Sequence, residues 1–266
     1  MRSLLFVPGD SERKQAKALA TAADALILDL EDSVDVTQLP AARARVHEFL
    51  RSNPDRARQQ LWVRVNALSS GLLLEDLAAV MADTGEGGPD GIVLPKVSHP
   101  GELEEVAHYL AAFEVRGTRS LGSTRLMAIA TETPRGLLSL PNYPQKVAAT
   151  PAIARRLIAL TWGAEDLGAA LGVTARVDSN GAPTLAFQMA RSSCLVTAAA
   201  LGVQAIDSVH IDFRNREGLA RELGSARRDG FTGKLAIHPD QIDAINAALI
   251  PTEVEVAKAR RIVAAF

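Results

Sequence analysis

Eight short runs of β-branched and aliphatic residues recur along the chain, each followed by a stretch with helical spacing, and this alternation restricts the fold more than any other feature. The runs fall at 4–7, 25–28, 61–65, 92–94, 125–130, 157–161, 203–206 and 234–237. Parallel strands cannot be joined by tight turns, so each needs a crossover, usually a helix. Helix boundaries are marked between the runs: Asp10 caps a helix through about Ala20, Pro100 sits in the first turn of one through Ala112, and Pro239 starts one through Leu249. Eight such units close a barrel. The expected fold is therefore of the α/β class, a parallel eight-stranded (β/α)8 TIM barrel with an extra C-terminal helix. An open doubly wound sheet is the runner-up, but the first run leads into Pro8-Gly9-Asp10 and not into a G-x-G-x-x-G turn.

The chain has 266 residues and 47% hydrophobic content, enough for one large core, and residues 1–266 are read as a single domain. Gly85-Glu86-Gly87-Gly88-Pro89 is the strongest loop signal, yet it lies directly before a run and is short enough to be a turn. Lys plus Arg total 29 against 31 Asp plus Glu, a net charge of −2, which argues against nucleic acid or an anionic membrane as partner. The apolar run Leu4-Leu5-Phe6-Val7 is cut off by Pro8-Gly9, too short for a signal peptide or a membrane span, so the protein is expected in the cytoplasm. One cysteine, Cys194, allows neither an internal disulfide nor a thiolate cluster, and its apolar neighbours mark it as a small buried hydrophobe.

In a parallel barrel, reactive groups lie just beyond the C-terminal ends of the strands, where the loops converge on one mouth. Charged residues follow the runs there: Asp29, Glu31 and Asp32 after the second, Arg64 in the third, Lys96 after the fourth, Glu132 after the fifth, Glu165 and Asp166 after the sixth. Crowded carboxylates need a counter-ion. The five histidines show no H-E-x-x-H spacing, so hard oxygen ligands point to Mg²⁺, with Mn²⁺ the alternative. Each residue also has a structural explanation: Asp166 as a helix cap, Asp29 or Asp32 as the tie of a turn, Lys96 as a mouth cation, a packing residue or a partner of the acidic cluster. Gly230-Phe231-Thr232-Gly233-Lys234 is too short for a phosphate loop and Leu235 replaces its hydroxyl residue; G-x-S-x-G is absent.

At these residues the chain resembles the citrate lyase β-subunit branch of the HpcH/HpaI aldolase family, which includes malyl-CoA and citramalyl-CoA lyases. The segments that carry the resemblance are Arg2 to Gly9, Ile27 to Asp32, Val63-Arg64-Val65-Asn66, Leu94-Pro95-Lys96, Glu132-Thr133-Pro134-Arg135-Gly136, Trp162 to Leu167 and Ile237-His238-Pro239-Asp240-Gln241. Several short matches in fixed order are more specific than any one of them. The resemblance implies that Glu132 and Asp166 bind Mg²⁺, that Arg64 holds the carboxylate of a 2-oxo acid, and that Asp29, Glu31 and Asp32 form an acidic cluster beside metal-bound water. It also implies that Arg13 and Lys17 contact coenzyme A phosphates, although two cations one turn apart on a helix equally describe a solvated face.

The implied reaction is Mg²⁺-dependent retro-Claisen cleavage of a 3-hydroxyacyl-CoA thioester into an acyl-CoA and a 2-oxo acid. Relatives use an Asp from a C-terminal lid as acid–base group, and this chain stops at Phe266 soon after the helix expected over 252–265, so a shortened or missing lid is expected, with Glu31 or Asp32 acting through water as replacement. A homo-oligomer, a trimer by the same resemblance, is expected. Other readings are a citrate lyase β-subunit acting on a citryl acyl-carrier protein beside an α-subunit, direct aldol cleavage of a free hydroxy-oxo acid, and a non-catalytic metabolite-binding paralogue.

Overall fold

The computed structural model describes residues 1–82, 87–179 and 181–265. Gly85 and Glu86 of the expected turn lie outside the described residues. Eight parallel strands form a closed barrel in chain order: β1 Ser3–Pro8, β2 Ala25–Asp29, β3 Gln60–Arg64, β4 Gly91–Leu94, β5 Arg125–Ile129, β6 Leu157–Thr161, β7 Gln204–Asp207 and β8 Gly233–Ala236. The helices are α1 Glu12–Leu19, α2 Leu39–Ser52, α3 Leu73–Val80, α4 Gly101–Arg116, α5 Pro134–Ser139, α6 Tyr143–Ala149, α7 Pro151–Ala154, α8 Ala164–Leu171, α9 Leu185–Leu201, α10 Arg216–Asp229, α11 Ile242–Ala248 and α12 Glu253–Val263. The eight runs read from the sequence are the eight strands, with bounds that differ by one residue at most ends. No described helix is long and apolar enough to cross a membrane.

The strands read as near-continuous apolar runs because both of their faces are buried. Alternate residues such as Leu4, Ile27, Trp62, Met127, Ile206 and Leu235, drawn from around the barrel, form one cluster that fills its interior. The residues between them, Leu26, Leu28, Val63 and Leu160 among others, join a second cluster with Val46, Leu77 and Leu103 of the surrounding helices. Trp62 lies opposite Gly91 in the pairing of β3 with β4, and a Cβ at Gly91 would sit 2.2 Å from its ring, so the indole takes the space that glycine leaves. β8 closes on β1 with Ser3 opposite Lys234.

Register also sets the mouth. Pro8, Asp29 and Arg64 share one rung across β1, β2 and β3, which puts a carboxylate and a guanidinium on adjacent strands and the same face. A slip of one residue would turn either away from the other.

Three boundaries differ from expectation. Ser11, not Asp10, precedes α1, because the Ser11 N–H donates to the Pro8 carbonyl and delays the helix by one residue. Pro100 stands just before α4, and α4 runs a turn beyond Ala112 because its buried stripe ends on Glu114, a charged residue that a hydrophobic pattern cannot count. Pro239 begins a 3-10 turn that leads into α11. Gly230, at φ +112°, terminates α10, and Lys234 is buried on β8, where it donates to Asp207 and to the Ser208 carbonyl, so that segment cradles no phosphate. Cys194 is fully buried, as its neighbours imply, and burial pushes its thiol up. Thr252 caps α12 reciprocally with Glu255, and no residue of that helix is buried.

Candidate active site

The site starts from Asp29, the last residue of β2. Its two carboxylate oxygens accept the Nε and Nη2 protons of Arg64 at 2.7 and 2.8 Å, and they also accept the backbone N–H groups of Glu31 and Ser33. Burial pushes the Asp29 carboxyl up, but the charge and hydrogen bonds of Arg64 outweigh it and hold the group below its ordinary range. Arg64 is therefore fixed in orientation by a two-pronged pair, over the ring of Phe6 at 4.7 Å. Its Nη1 lies 2.8 Å from Glu31 Oε2 and donates to Asp32 at 3.3 Å. Burial disfavours the Arg64 charge, while Asp29, Glu31 and Asp32 together raise its pKa beyond the ordinary value.

Lys96, two residues past β4, joins the remaining acids. Its backbone is left-handed, φ +53°, a conformation that a residue with a side chain seldom adopts. From there its N–H donates to Glu132 Oε2 at 2.5 Å, while its ammonium reaches Glu31, Asp32 at 2.9 Å and Asp166 at 3.6 Å. Of the roles open to it, that of partner to the acidic cluster is the one its geometry takes.

Glu132 is 4% exposed and has the Lys96 N–H as its one hydrogen-bond donor among the described residues. Burial pushes its carboxyl up to about 8, with Glu31 and Asp166 adding to the rise and the Lys96 N–H and Arg64 opposing it. Glu31 is pushed up to about 7, again by burial first, with Arg64 and Lys96 pulling down and Asp32 pushing up. Gly163, one residue before α8, makes room for Glu132: a Cβ there would lie 2.4 Å from the Glu132 Cγ. Asp166 is in the first turn of α8, and Gly163 takes the capping position instead.

These acids present only oxygen donors. No three His, Cys, Asp or Glu among the described residues are spaced to cage a metal ion. A hard divalent cation that keeps most of its waters needs only one or two carboxylates. Glu132, buried with a single donor, has oxygen lone pairs that nothing in its surroundings answers, and Glu31 Oε2 lies beside Arg64 without accepting a hydrogen bond, so both could turn an oxygen to such an ion. The residues fit a cation of that kind, with Glu132 and Asp166 flanking Lys96 at its edge.

Arg13 and Lys17 stand apart from this cluster. Both are exposed on α1, and neither side chain makes an ion pair or hydrogen bond within the described residues. Phe6 escaped the sequence reading, although the alternation Leu4, Phe6, Pro8 in β1 carries the signal that it faces inward. The part of Gly163 was also missed, because a glycine before a helix reads as a cap rather than as space for a carboxylate at the end of the neighbouring strand.

Charged groups gathered at the C-terminal ends of strands in a closed parallel barrel define a barrel enzyme, with its chemistry at the mouth. The chain belongs to the HpcH/HpaI aldolase/citrate lyase family, whose profile matches residues 2–239, and is thus a carbon–carbon lyase by family. It is 34% identical over 266 residues to the mitochondrial citramalyl-CoA lyase of Mus musculus, covering 100% of this chain and 76% of that one. It is 35% identical over 265 residues to the (3S)-malyl-CoA thioesterase of Cereibacter sphaeroides, covering 100% and 82%. The crystal structure of CitE from Mycobacterium tuberculosis in complex with magnesium, acetoacetate and coenzyme A superposes with a TM-score of 0.74 and 34% identity, covering 99% of this chain and 86% of that one.

Proposed function

We propose that the chain is a Mg²⁺-dependent lyase that cleaves a 3-hydroxyacyl-CoA, of the malyl- or citramalyl-CoA kind, into an acyl-CoA and a 2-oxo acid. The observation that carries this reading is the juxtaposition of Arg64, locked by Asp29, with the under-bonded acid Glu132 and with Glu31 and Asp166. An oriented guanidinium beside an oxygen-donor cation site suits a substrate with a carboxylate next to an oxygen on carbon. The names of the relatives, a CoA-ester lyase and a CoA-ester thioesterase, and the magnesium, oxo acid and coenzyme A bound to the tuberculosis protein support it.

In this reading Glu132 and Asp166 hold Mg²⁺, which supplies Lewis acidity to the oxygens of the oxo acid. Arg64 binds the carboxylate and keeps that end of the substrate still. The substrate hydroxyl loses its proton to the Glu31–Asp32 pair, directly or through water. Its oxygen becomes the carbonyl of the 2-oxo acid as the bond between C2 and C3 breaks. The released electron pair moves onto the thioester as an enolate, which takes that proton back at C2 from the same pair, through water, to give the acyl-CoA. Glu31 suits the proton transfer because its surroundings place it near neutrality, at about 7. Arg13 and Lys17, exposed on α1, the helix that follows β1, are the candidates for coenzyme A phosphates.

Release of glyoxylate from malyl-CoA and of pyruvate from citramalyl-CoA, with and without Mg²⁺, tests the reading. Metal-dependent release that falls on the order of 10³-fold or more in Glu132→Gln is the expected result. Folded protein that releases neither acid overturns it and directs the search to a citryl group on an acyl-carrier protein. Thioester hydrolysis without carbon–carbon cleavage would instead place the chain with its thioesterase relative.

A further inference from the structure

We propose that Lys96 is a built-in counter-cation of the metal-free mouth, displaced when a divalent ion enters, so that this one side chain sets how tightly the metal binds. The inference rests on the metal reading above and adds to it a competitor supplied by the chain itself. Lys96 is the residue through which four acids from three loops meet: Glu132 through its backbone N–H, and Glu31, Asp32 and Asp166 through its ammonium. It makes both kinds of contact from a left-handed backbone, φ +53°. Such a conformation persists at a residue with a side chain only where its surroundings require it.

Charge makes the competition. Five carboxylates, Asp29, Glu31, Asp32, Glu132 and Asp166, face two cations, and Arg64 is spent chiefly on Asp29 by the two-pronged pair. That leaves the Lys96 ammonium as the positive charge next to Asp166. A divalent ion held by Glu132 and Asp166 meets the ammonium at Asp166, and two like charges a few ångströms apart repel strongly where water is scarce. The ammonium is free to leave: its side chain is 27% exposed and sits on a flexible four-carbon stem. Lys234 provides the contrast, since its side chain is 2% exposed between Asp207 and Glu222 and has nowhere to go.

Two measurements on substrate-free protein test this. Titration calorimetry with Mg²⁺ and Mn²⁺ compares the wild type, Lys96→Met and Glu132→Gln, with thermal melting to show that each is folded. Removal of the competing charge is expected to tighten metal binding by about tenfold or more in Lys96→Met. The second needs no variant: acetylation of Lys96 in the wild type, followed by peptide mass spectrometry, should speed up several-fold when Mg²⁺ is added, with Lys234 unreactive throughout. Equal or weaker metal binding in Lys96→Met, or an Mg²⁺-independent acetylation rate, overturns the proposal and makes Lys96 a fixed support of the acids. If the wild type itself binds neither ion, the metal reading falls and this inference with it. If the wild type binds an ion that Glu132→Gln loses while Lys96→Met is unchanged, only this inference falls.

Discussion

Glu114 and Glu132 are both buried, at opposite ends of the barrel, and their surroundings could hardly differ more. Glu114, near the end of α4, lies beneath the N-terminal ends of β5 and β6. It accepts the N–H groups of Gly122 and Thr124, each at 2.8 Å, and both terminal nitrogens of Arg156 at 2.7 and 2.6 Å. Burial works against its charge, but Arg156 and the two N–H groups outweigh burial and hold the carboxyl below its ordinary range. Glu132 has one such donor and two carboxylates for neighbours, and its carboxyl goes up. A buried charge answered on every side belongs to the scaffold, whereas one left under-bonded at the strand ends waits for something the chain does not provide. The same division separates the stabilising and reactive faces of parallel barrels generally.

The comparison can be broken most directly at its well-bonded end. In Glu114→Ala, Arg156 is left buried without its partner, and the chain should lose about 3–5 kcal/mol of stability in urea unfolding. Turnover per folded molecule should stay at the wild-type level. The pair also has a pH signature. Because the folded carboxyl lies below the ordinary glutamate value of 4.5, the native state binds its proton less tightly than the unfolded chain does. Its contribution is complete above that value and fades as pH falls through the lower, folded one. The wild type should therefore lose stability on acidification below about pH 4.5 that Glu114→Gln does not. A loss under about 1 kcal/mol in Glu114→Ala would mean that the pair is no stronger than a surface contact.

At the mouth, the next largest effect is expected from a residue with no charge. A methyl group at Gly163 would stand 2.4 Å from Glu132 Cγ and 3.0 Å from its Oε1, so the carboxylate must swing away from the position that the Lys96 N–H fixes. Gly163→Ala should weaken Mg²⁺ binding by about 10–100-fold, the range seen when the support of a metal ligand is disturbed. Calorimetry that finds the affinity within about twofold of the wild type would show that Glu132 has more freedom than this packing implies.

How much of this was legible in the sequence follows the range of the interactions. The strands were readable because a run buried on both faces is a local pattern, and the mouth residues were readable because a barrel sends every strand end to one place. Arg64 and Asp29 meet through register, which the order of the strands already implies. The answered glutamate was not readable: Glu114 and Arg156 lie 42 residues apart, on a helix and a loop whose meeting depends on how α4 lies against the barrel. The same limit hid the end of α4, since a glutamate counts as polar until its partner is known. Lys96 was visible as a cation at the mouth, but its left-handed backbone, and with it the double hold on Glu132 and the facing acids, has no signature in residue type.

The smallest expected effect sharpens the contrast from the other side. If Glu132 is kept for a cation at the expense of the empty fold, removing its charge should stabilise the metal-free protein. A glutamine at that position keeps an oxygen for the Lys96 N–H and has no ionisable carboxyl for burial, Glu31 and Asp166 to oppose. Glu132→Gln should gain about 1–2 kcal/mol without metal, as under-bonded functional groups often do when replaced. Added Mg²⁺ should then raise the melting temperature of the wild type, because a ligand that binds only the folded state stabilises it, and leave the variant where it was. The two melting curves therefore cross in order as metal is added. A variant that melts below the wild type at every Mg²⁺ concentration would show that Glu132, like Glu114, is a support of the barrel, and the distinction between the two ends would collapse.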